Sequence, residues 1–192
     1  MTWYVIDGMD GTGKTTVAEE MKTILESKGH KVLLIEHPDK NKIVGRLESR
    51  FLQSDSGNIA KILTTVTFIG DVLGSLTNRW LLDAEYDDFI FVRYIMSVAY
   101  LPDTFALKAY GFISRILPMP ENRILVDVNV DVAMDRIDNR GDKTELFENR
   151  DDLSRTRHMM NELSKDSWIV IDNSDSRDHL KEKLNLIIDS NL

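Results

Sequence analysis

Hydrophobic residues occur along this chain in five short runs without polar interruptions, separated by longer segments with a helical pattern. The runs cover residues 3–6, 32–35, 89–92, 124–126 and 168–171. A continuous apolar run of this length is typical of a β-strand that is covered on both faces, whereas a half-exposed strand alternates polar and apolar residues. The pattern therefore predicts five buried strands.

The segments between these runs carry apolar residues three or four positions apart, which is the spacing of one helix face. In the first segment this face consists of Val17, Met21, Ile24 and Leu25, and the helix is expected to end at Gly29. Strands that alternate with helices of this length predict parallel pairing through crossover connections. The expected fold class is α/β: a three-layer αβα fold with a five-stranded parallel sheet, in one domain over residues 1–192.

Charge and composition narrow the functions that fit. Of the 192 residues, 42% are hydrophobic and 29% are charged, as in globular proteins. The formal net charge of -8 argues against binding to nucleic acid or to an anionic membrane, because both need a basic face. The chain has no cysteine, which excludes disulfides and thiolate chemistry. No secretory signal or membrane-spanning run is visible, so a cytoplasmic location is expected.

The first predicted strand is followed by a phosphate-binding sequence. Residues 8–15 are GMDGTGKT and match the pattern G-x4-G-K-[ST], with a predicted strand before and a predicted helix after. Glycines let successive backbone N–H groups point into one concavity, and the helix N-terminus adds positive potential there. In this pattern Lys14 reaches the β- and γ-phosphates of ATP, and the Thr15 hydroxyl is a ligand of Mg²⁺. The sequence thus predicts a P-loop NTPase fold that binds ATP with magnesium.

Longer stretches of the chain resemble a known family. Residues 6–16, IDGMDGTGKTT, are similar to the opening of thymidylate kinases, members of the nucleoside monophosphate kinase group. Further similarities lie at Pro38-Asp39, at residues 43–47, at Arg93-Tyr94 with the following Ser97 and Ala99-Tyr100, and at residues 140–149. The resemblance implies transfer of the ATP γ-phosphoryl group to dTMP, giving dTDP.

The motif and the resemblance together imply roles for individual residues. The residues implied for ATP binding are Gly8, Asp10, Gly11, Thr12, Gly13, Lys14, Thr15, Thr16, Arg136 and Asp172. The residues implied for acceptor binding are Asp10, Pro38, Phe68, Arg93 and Tyr100. Lys14 and Arg93 are expected to act in catalysis.

A lid segment at about residues 141–147 is implied to carry a catalytic positive charge. Family members place this charge either in the P-loop or in the lid. Because the P-loop position holds Gly11 here, Arg140 and Lys143 are the expected catalytic cations. With Arg136 and Arg150 they form a local basic cluster in an acidic chain. The alternative is a solvated helix surface on which these arginines pair with neighbouring carboxylates.

Two positions depart from the family pattern. Where the family has an aspartate before the arginine of its third strand, this chain has Val92, which removes a carboxylate from the surroundings of magnesium. Where the family usually has an Asp-Arg pair, the chain has Asp71-Val72, which removes an arginine that would bind the acceptor's phosphate. Both changes fall on the acceptor side, so donor binding is expected to be intact.

Three other polar positions have simpler interpretations. Asp7 ends the first strand beside the P-loop and is a candidate for the surroundings of magnesium. Asp87 and Asp88 precede a strand, at the wrong end for a site, and are expected to form a turn. His37 follows the second strand near the implied substrate site, but a surface position fits it equally well.

The departures leave two other functions open. The first is a kinase of the same fold that acts on a nucleoside or another small acceptor. The second is an ATP-binding regulatory protein with little transferase activity. The resemblance also implies a homodimer, for which the helices within residues 59–82 would supply the face, although an apolar pattern there also fits a core helix.

Overall fold

The computed structural model of the protein describes residues 2–37, 72, 74–76, 84–140 and 149–190. The strands are β1 (Thr2–Asp7), β2 (Val32–Glu36), β3 (Asp88–Val92), β4 (Asn122–Asp127) and β5 (Ile169–Asp172). The helices, numbered over the described ranges, are α1 (Lys14–Ser27), α2 (Asp103–Ile116), α3 (Val130–Arg140), α4 (Arg150–Ser164) and α5 (Arg177–Asp189). A 3₁₀-helix spans Met96–Tyr100, and Val72 and residues 74–76 are helical.

The strands form one parallel sheet with the order β2-β3-β1-β4-β5. All five coincide with the hydrophobic runs, which confirms the predicted five-stranded parallel sheet. β1 lies at the centre, between β3 and β4. The loop after β1 therefore opens at the middle of the sheet's carboxyl edge, where α/β folds of this kind bind their ligands.

Successive residues of the strands point to opposite faces, and helices cover both faces. Tyr4, Ile6 and Val92 belong to the apolar cluster under α1 and α5. Val5 and Phe91 belong to the cluster on the other face, with α2, α3 and α4. The middle positions of β1, β3 and β4 are buried on both faces, which explains why their apolar runs are continuous. The prediction of five buried strands is wrong for β5, where Ile169 and Val170 are 42% and 51% exposed.

One predicted turn is wrong in part. Asp88 is the first residue of β3 and is only 1% exposed. Its carboxylate accepts a hydrogen bond from the backbone N–H of Thr2 at 3.0 Å, and its Oδ2 lies 2.6 Å from Nδ1 of His30. The pair of aspartates looked like a turn, but Asp88 satisfies a backbone donor at the amino edge of the sheet.

Candidate functional site

The glycine-rich loop lies between β1 and α1 and is closed by its own hydrogen bonds. The hydroxyl of Thr12 donates to the carbonyl of Met9 at 2.9 Å, and the backbone N–H of Val17 donates to the carbonyl of Gly13 at 3.0 Å. Gly11 and Gly13 have φ angles of 78° and 85°, a left-handed conformation that glycine adopts without steric cost. The loop therefore delivers the chain into α1 with the N-terminal amides of the helix facing its concavity.

Gly11 also lies against the backbone of α3. A Cβ atom at this position would lie 2.5 Å from the carbonyl oxygen of Ala133 and 2.8 Å from its Cα. These atoms belong to helix backbone and cannot rotate away. Position 11 is thus closed to any side chain unless the loop or α3 moves.

Three side chains converge on the carboxylate of Asp10, which follows β1 and is 8% exposed. Nη2 of Arg93 lies 2.6 Å from Oδ1, and the hydroxyl of Tyr100 donates to Oδ2 at 2.7 Å. Nζ of Lys14 lies 3.5 Å from Oδ1 and donates to the carbonyl of Met9 at 2.7 Å. The P-loop, the loop after β3 and the 3₁₀-helix therefore meet at one buried carboxylate.

The charges in this cluster shift each other's protonation. Burial alone raises the pKa of Asp10, but the positive charges of Lys14 and Arg93 outweigh it and hold that pKa well below its usual range. Burial, with the nearby charge of Arg93, lowers the pKa of Lys14 to about 8. Burial and the charge of Asp10 raise the pKa of the Tyr100 hydroxyl well above its ordinary value. At neutral pH the cluster contains an ionised Asp10 and a neutral Tyr100 that donates to it.

Arg93 reaches this cluster from an unusual backbone conformation. Its φ angle is 61°, which is uncommon for a residue with a side chain and is often found at functional sites. The carboxylate of Asp7 accepts hydrogen bonds from the backbone N–H groups of Tyr94, at 3.1 Å, and Met96, at 3.2 Å. Burial raises the pKa of Asp7, against the opposing effect of these two hydrogen bonds. Asp7 thus holds the turn that aims Arg93, and its place in the surroundings of magnesium stays a prediction.

Arg136 and Asn173 lie on the other side of the loop. Arg136, on α3, donates through Nη1 to the carbonyl of Thr12 at 3.3 Å and through Nη2 to the carbonyl of Asn173 at 2.9 Å. The side chain of Asn173 donates to the same Thr12 carbonyl at 2.8 Å. Asp172 ends β5 and accepts a hydrogen bond from the backbone N–H of Ser174 at 2.9 Å. Hydrogen bonding from the side chain of Ser174 first, and from this N–H second, lowers the pKa of Asp172. Arg136 and Asn173 therefore contact the loop, and the ATP-binding roles of Arg136 and Asp172 stay predictions.

The remaining predicted residues divide into three groups. Thr15 and Thr16 are exposed in the first turn of α1. Arg140 is the last residue of α3, and its side chain lies outside the described part of the chain. Pro38, Phe68, Lys143 and residues 141–147 of the implied lid also lie outside the described residues. Arg150 pairs with Asp131, as expected for a solvated helix surface.

The two departures from the family pattern, and His37, are all buried. Val92 and Val72 are 0% exposed and lie in the two apolar clusters, Val92 beside Val17 under α1. His37 is 1% exposed, and its ring centroid lies 5.9 Å from that of Phe91. Its carbonyl accepts from Nη1 of Arg93 at 3.3 Å. The surface position that was one interpretation of His37 is wrong.

The sequence did not point to Asn173 or Arg155. Asn173 directly follows β5, so the rule that ligands gather at carboxyl ends of strands could have found it. Arg155 donates to three carbonyls at the end of the 3₁₀-helix, more than fifty residues away, and no local pattern indicates such a contact. Within the described residues, no helix is both long and apolar enough to cross a membrane.

Comparisons with known proteins agree with this geometry. The family described as thymidylate kinase matches residues 6–184. A probable thymidylate kinase from Archaeoglobus fulgidus is 26% identical over 188 residues, which is 96% of this chain and 93% of the relative. Another, from Metallosphaera sedula, is 30% identical over 164 residues, covering 82% and 76% of the two chains. The solved structure of the thymidylate kinase from Candida albicans superposes with a TM-score of 0.74 at 21% identity, over 99% of this chain and 92% of that one.

Proposed function

Because the chain belongs to the thymidylate kinase family, we propose that it transfers the γ-phosphoryl group of ATP to dTMP, giving ADP and dTDP. The observation that carries the proposal is the convergence of Lys14, Arg93 and Tyr100 on Asp10. A phosphate-binding loop and two residues expected at the acceptor thereby share one carboxylate. Such a junction is where donor and acceptor phosphates would have to meet.

The donor site is formed by the loop and its two neighbours on the far side. The loop residues 8–16 would bind the phosphates, with Lys14 released from the carbonyl of Met9 to reach them. Arg136 and Asn173 already donate to the loop carbonyl of Thr12. Together with Asp172 at the end of β5, they would face the base and ribose.

The acceptor site would begin at Asp10, Arg93 and Tyr100. Arg93 carries a fixed positive charge, and its turn is held by Asp7, so its guanidinium is suited to a phosphate. The carboxylate of Asp10 accepts hydrogen bonds from its neighbours and can also accept one from a sugar hydroxyl of the substrate. Pro38 and Phe68 are proposed for the same pocket from the sequence alone.

The chemistry needs charge and position more than acid–base catalysis. The nucleophile is a phosphate oxygen of the acceptor, which is largely ionised at neutral pH because its second pKa is about 6. The reacting group spreads its charge over three oxygens, so cations on several sides stabilise it. Lys14 and Arg93 supply two of them. We place the third at Arg140 and Lys143, because Gly11 has no room for a charged side chain beside Ala133.

Magnesium would enter with ATP. Among the described residues, no group of three or more His, Cys, Asp or Glu side chains is arranged to hold a metal. Mg²⁺ in phosphoryl-transfer sites is bound through substrate phosphates, water and one or two protein oxygens, so this donor set fits. The exposed hydroxyl of Thr15 would be the protein ligand. The ion would neutralise phosphate charge during the transfer.

Three further statements belong to the same proposal. We propose a homodimer formed through residues 59–82, a lid at about residues 141–147 within a single domain, and a cytoplasmic location. These rest on the resemblance and on sequence patterns, most of which lie outside the described residues.

One observation favours a second candidate function. Val72 is fully buried in an apolar cluster, so the arginine that the family usually has there is absent and its place is closed to a charge. A kinase of this fold that phosphorylates a nucleoside would have less need of that arginine.

The two candidates are separated by comparing dTMP with thymidine as acceptor. ADP release from ATP and magnesium is measured with each acceptor and without one, in the wild type and in Lys14→Ala. We expect dTMP to stimulate ADP release and thymidine to have no effect, with no stimulation in the variant. Stimulation by thymidine alone would select the nucleoside kinase. Tight ATP binding without stimulation by any acceptor would select a regulatory protein.

A further inference from the structure

The 3₁₀-helix Met96–Tyr100 is followed by Leu101 and a proline. The N–H of Leu101 bonds back to the carbonyl of Val98 at 3.0 Å, but the next residue is Pro102, which has no N–H. The carbonyls of Ala99, Tyr100 and Leu101 face side-chain donors at this end of the 3₁₀-helix.

Arg155 of α4 supplies these donors. Its Nη1 donates to the carbonyl of Leu101 at 2.6 Å and lies 3.5 Å from that of Ala99, while Nη2 donates to that of Tyr100 at 3.0 Å. The guanidinium is held in turn by the carboxylate of Asp103, at 3.2 Å from Nη1. The side chain is 28% exposed, so most of it is removed from water. One planar fork thus fixes the end of the 3₁₀-helix.

The residue at this end is Tyr100, whose hydroxyl reaches Asp10 at 2.7 Å. A displacement of the Tyr100 backbone by about 1 Å would break that bond, because hydrogen bonds weaken steeply beyond normal distances. Arg155 therefore acts on the site through main-chain carbonyls, and Tyr100 connects these carbonyls to the carboxylate of Asp10.

We propose that Arg155 is a positioning residue for the acceptor site: by binding the carbonyls of residues 99–101 it keeps the Tyr100 hydroxyl on Asp10. The inference rests on the proposed function, because it assigns Tyr100 and Asp10 to acceptor binding. It adds a contribution from α4 to a site otherwise made of β1, β3 and the 3₁₀-helix.

A neighbouring arginine on the same helix provides a matched control. Arg157 forms a two-bond ion pair with Asp127, at 2.8 Å for each bond, and is bonded to β4 rather than to the 3₁₀-helix. Replacing it removes an equally charged, similarly buried anchor of α4. If α4 matters only as a packing element, Arg155→Ala and Arg157→Ala should have the same effect on Tyr100.

The first test needs no substrate, so it stays informative even if dTMP is not the acceptor. The ring carbon that bears the hydroxyl of each tyrosine is labelled with ¹³C, and Tyr100→Phe identifies the Tyr100 resonance. We expect Arg155→Ala to shift this resonance toward its position in Asp10→Asn, and Arg157→Ala to leave it in place. An unchanged Tyr100 resonance in Arg155→Ala would overturn the inference.

The second test is kinetic. We expect Arg155→Ala to raise the KM for dTMP about tenfold, the effect of losing one hydrogen bond to a charged group, while the KM for ATP stays within about twofold. In the Tyr100→Phe background the same substitution should add little, because the bond it protects is already gone. Arg155→Lys should raise the KM for dTMP less than Arg155→Ala does, because an ammonium group keeps the charge but lacks the planar set of N–H donors that binds several carbonyls.

The outcomes distinguish the inference from the proposed function. A wild-type protein that does not phosphorylate dTMP would contradict the proposed function, and the resonance would still decide the inference. An active wild type with additive effects of Arg155→Ala and Tyr100→Phe would contradict the inference alone. Equal rises in both KM values would also do so, because they indicate a general loss of structure.

Discussion

Replacing Gly11 by alanine should damage the protein far more than replacing Gly29, although both residues have positive φ angles. Gly11 has a φ of 78° and Gly29 has a φ of 92°. A Cβ at position 11 would lie 2.5 Å from the Ala133 carbonyl oxygen, whereas a Cβ at position 29 would meet no atom within 4 Å. The two substitutions therefore share the backbone cost and differ in the steric cost.

The magnitudes follow from these distances. A left-handed conformation costs an alanine about 1–2 kcal/mol, which is the whole expected loss for Gly29→Ala. In Gly11→Ala the loop or α3 must also move by about 1 Å to reach a normal contact, and backbone shifts of this kind cost about 1–3 kcal/mol. We expect a total loss of about 2–5 kcal/mol for Gly11→Ala. ATP affinity should fall as well, because the displaced backbone carries the phosphate-binding amides.

The measurement is urea unfolding of both variants and the wild type, with ATP binding by calorimetry under native conditions. The unfolding slope should stay constant, so that midpoints report stability. Gly11→Arg should fail to supply a catalytic charge, for the same steric reason. Equal stability losses in the two alanine variants, with normal ATP binding in Gly11→Ala, would refute the close approach of the loop and α3.

Three further predictions concern charges in the site. Lys14 has a pKa of about 8 and binds phosphate only when it is protonated, so kcat/KM for ATP should fall as the pH rises above about 8. A pH profile of the rate at limiting ATP measures this, and a flat profile up to pH 10 would contradict it. Asp10 has a folded pKa below its ordinary value of 3.8, so it stabilises the protein above that pH and the contribution is lost as the pH falls below it. The free energy of unfolding should therefore drop more steeply below about pH 4 in the wild type than in Asp10→Asn, and parallel curves would exclude this role. Arg136→Ala removes the two donors that hold the carbonyls of Thr12 and Asn173, so the KM for ATP should rise about tenfold while the KM for dTMP is unchanged. A rise in the KM for dTMP alone would place Arg136 on the acceptor side.

The fold could be predicted because its evidence is local. Five continuous apolar runs indicate strands buried on both faces, and the structure places them in one parallel sheet. The P-loop could be predicted because glycine, lysine and threonine spacings follow directly from phosphate binding. These signals lie within windows of about ten residues.

Long-range partners could not be predicted in this way. The Asn173 side chain meets Thr12, and Arg155 meets the 3₁₀-helix, through contacts that only the folded topology creates. Asp7 ends a strand beside the P-loop, and its carboxylate binds backbone N–H groups of the loop after β3, a contact that the sequence did not indicate. A side chain at the correct edge of the sheet can face either of two neighbouring loops, and the sequence does not say which.

The central claim is that this chain makes dTDP from dTMP and ATP. The most direct test is to incubate the protein with ATP, magnesium and each nucleoside monophosphate in turn, and to quantify the diphosphate product by ³¹P NMR. We expect dTMP to give dTDP with the highest kcat/KM and Lys14→Ala to give none. It would be contradicted if dTMP yielded no diphosphate while another monophosphate, or none at all, served as the acceptor.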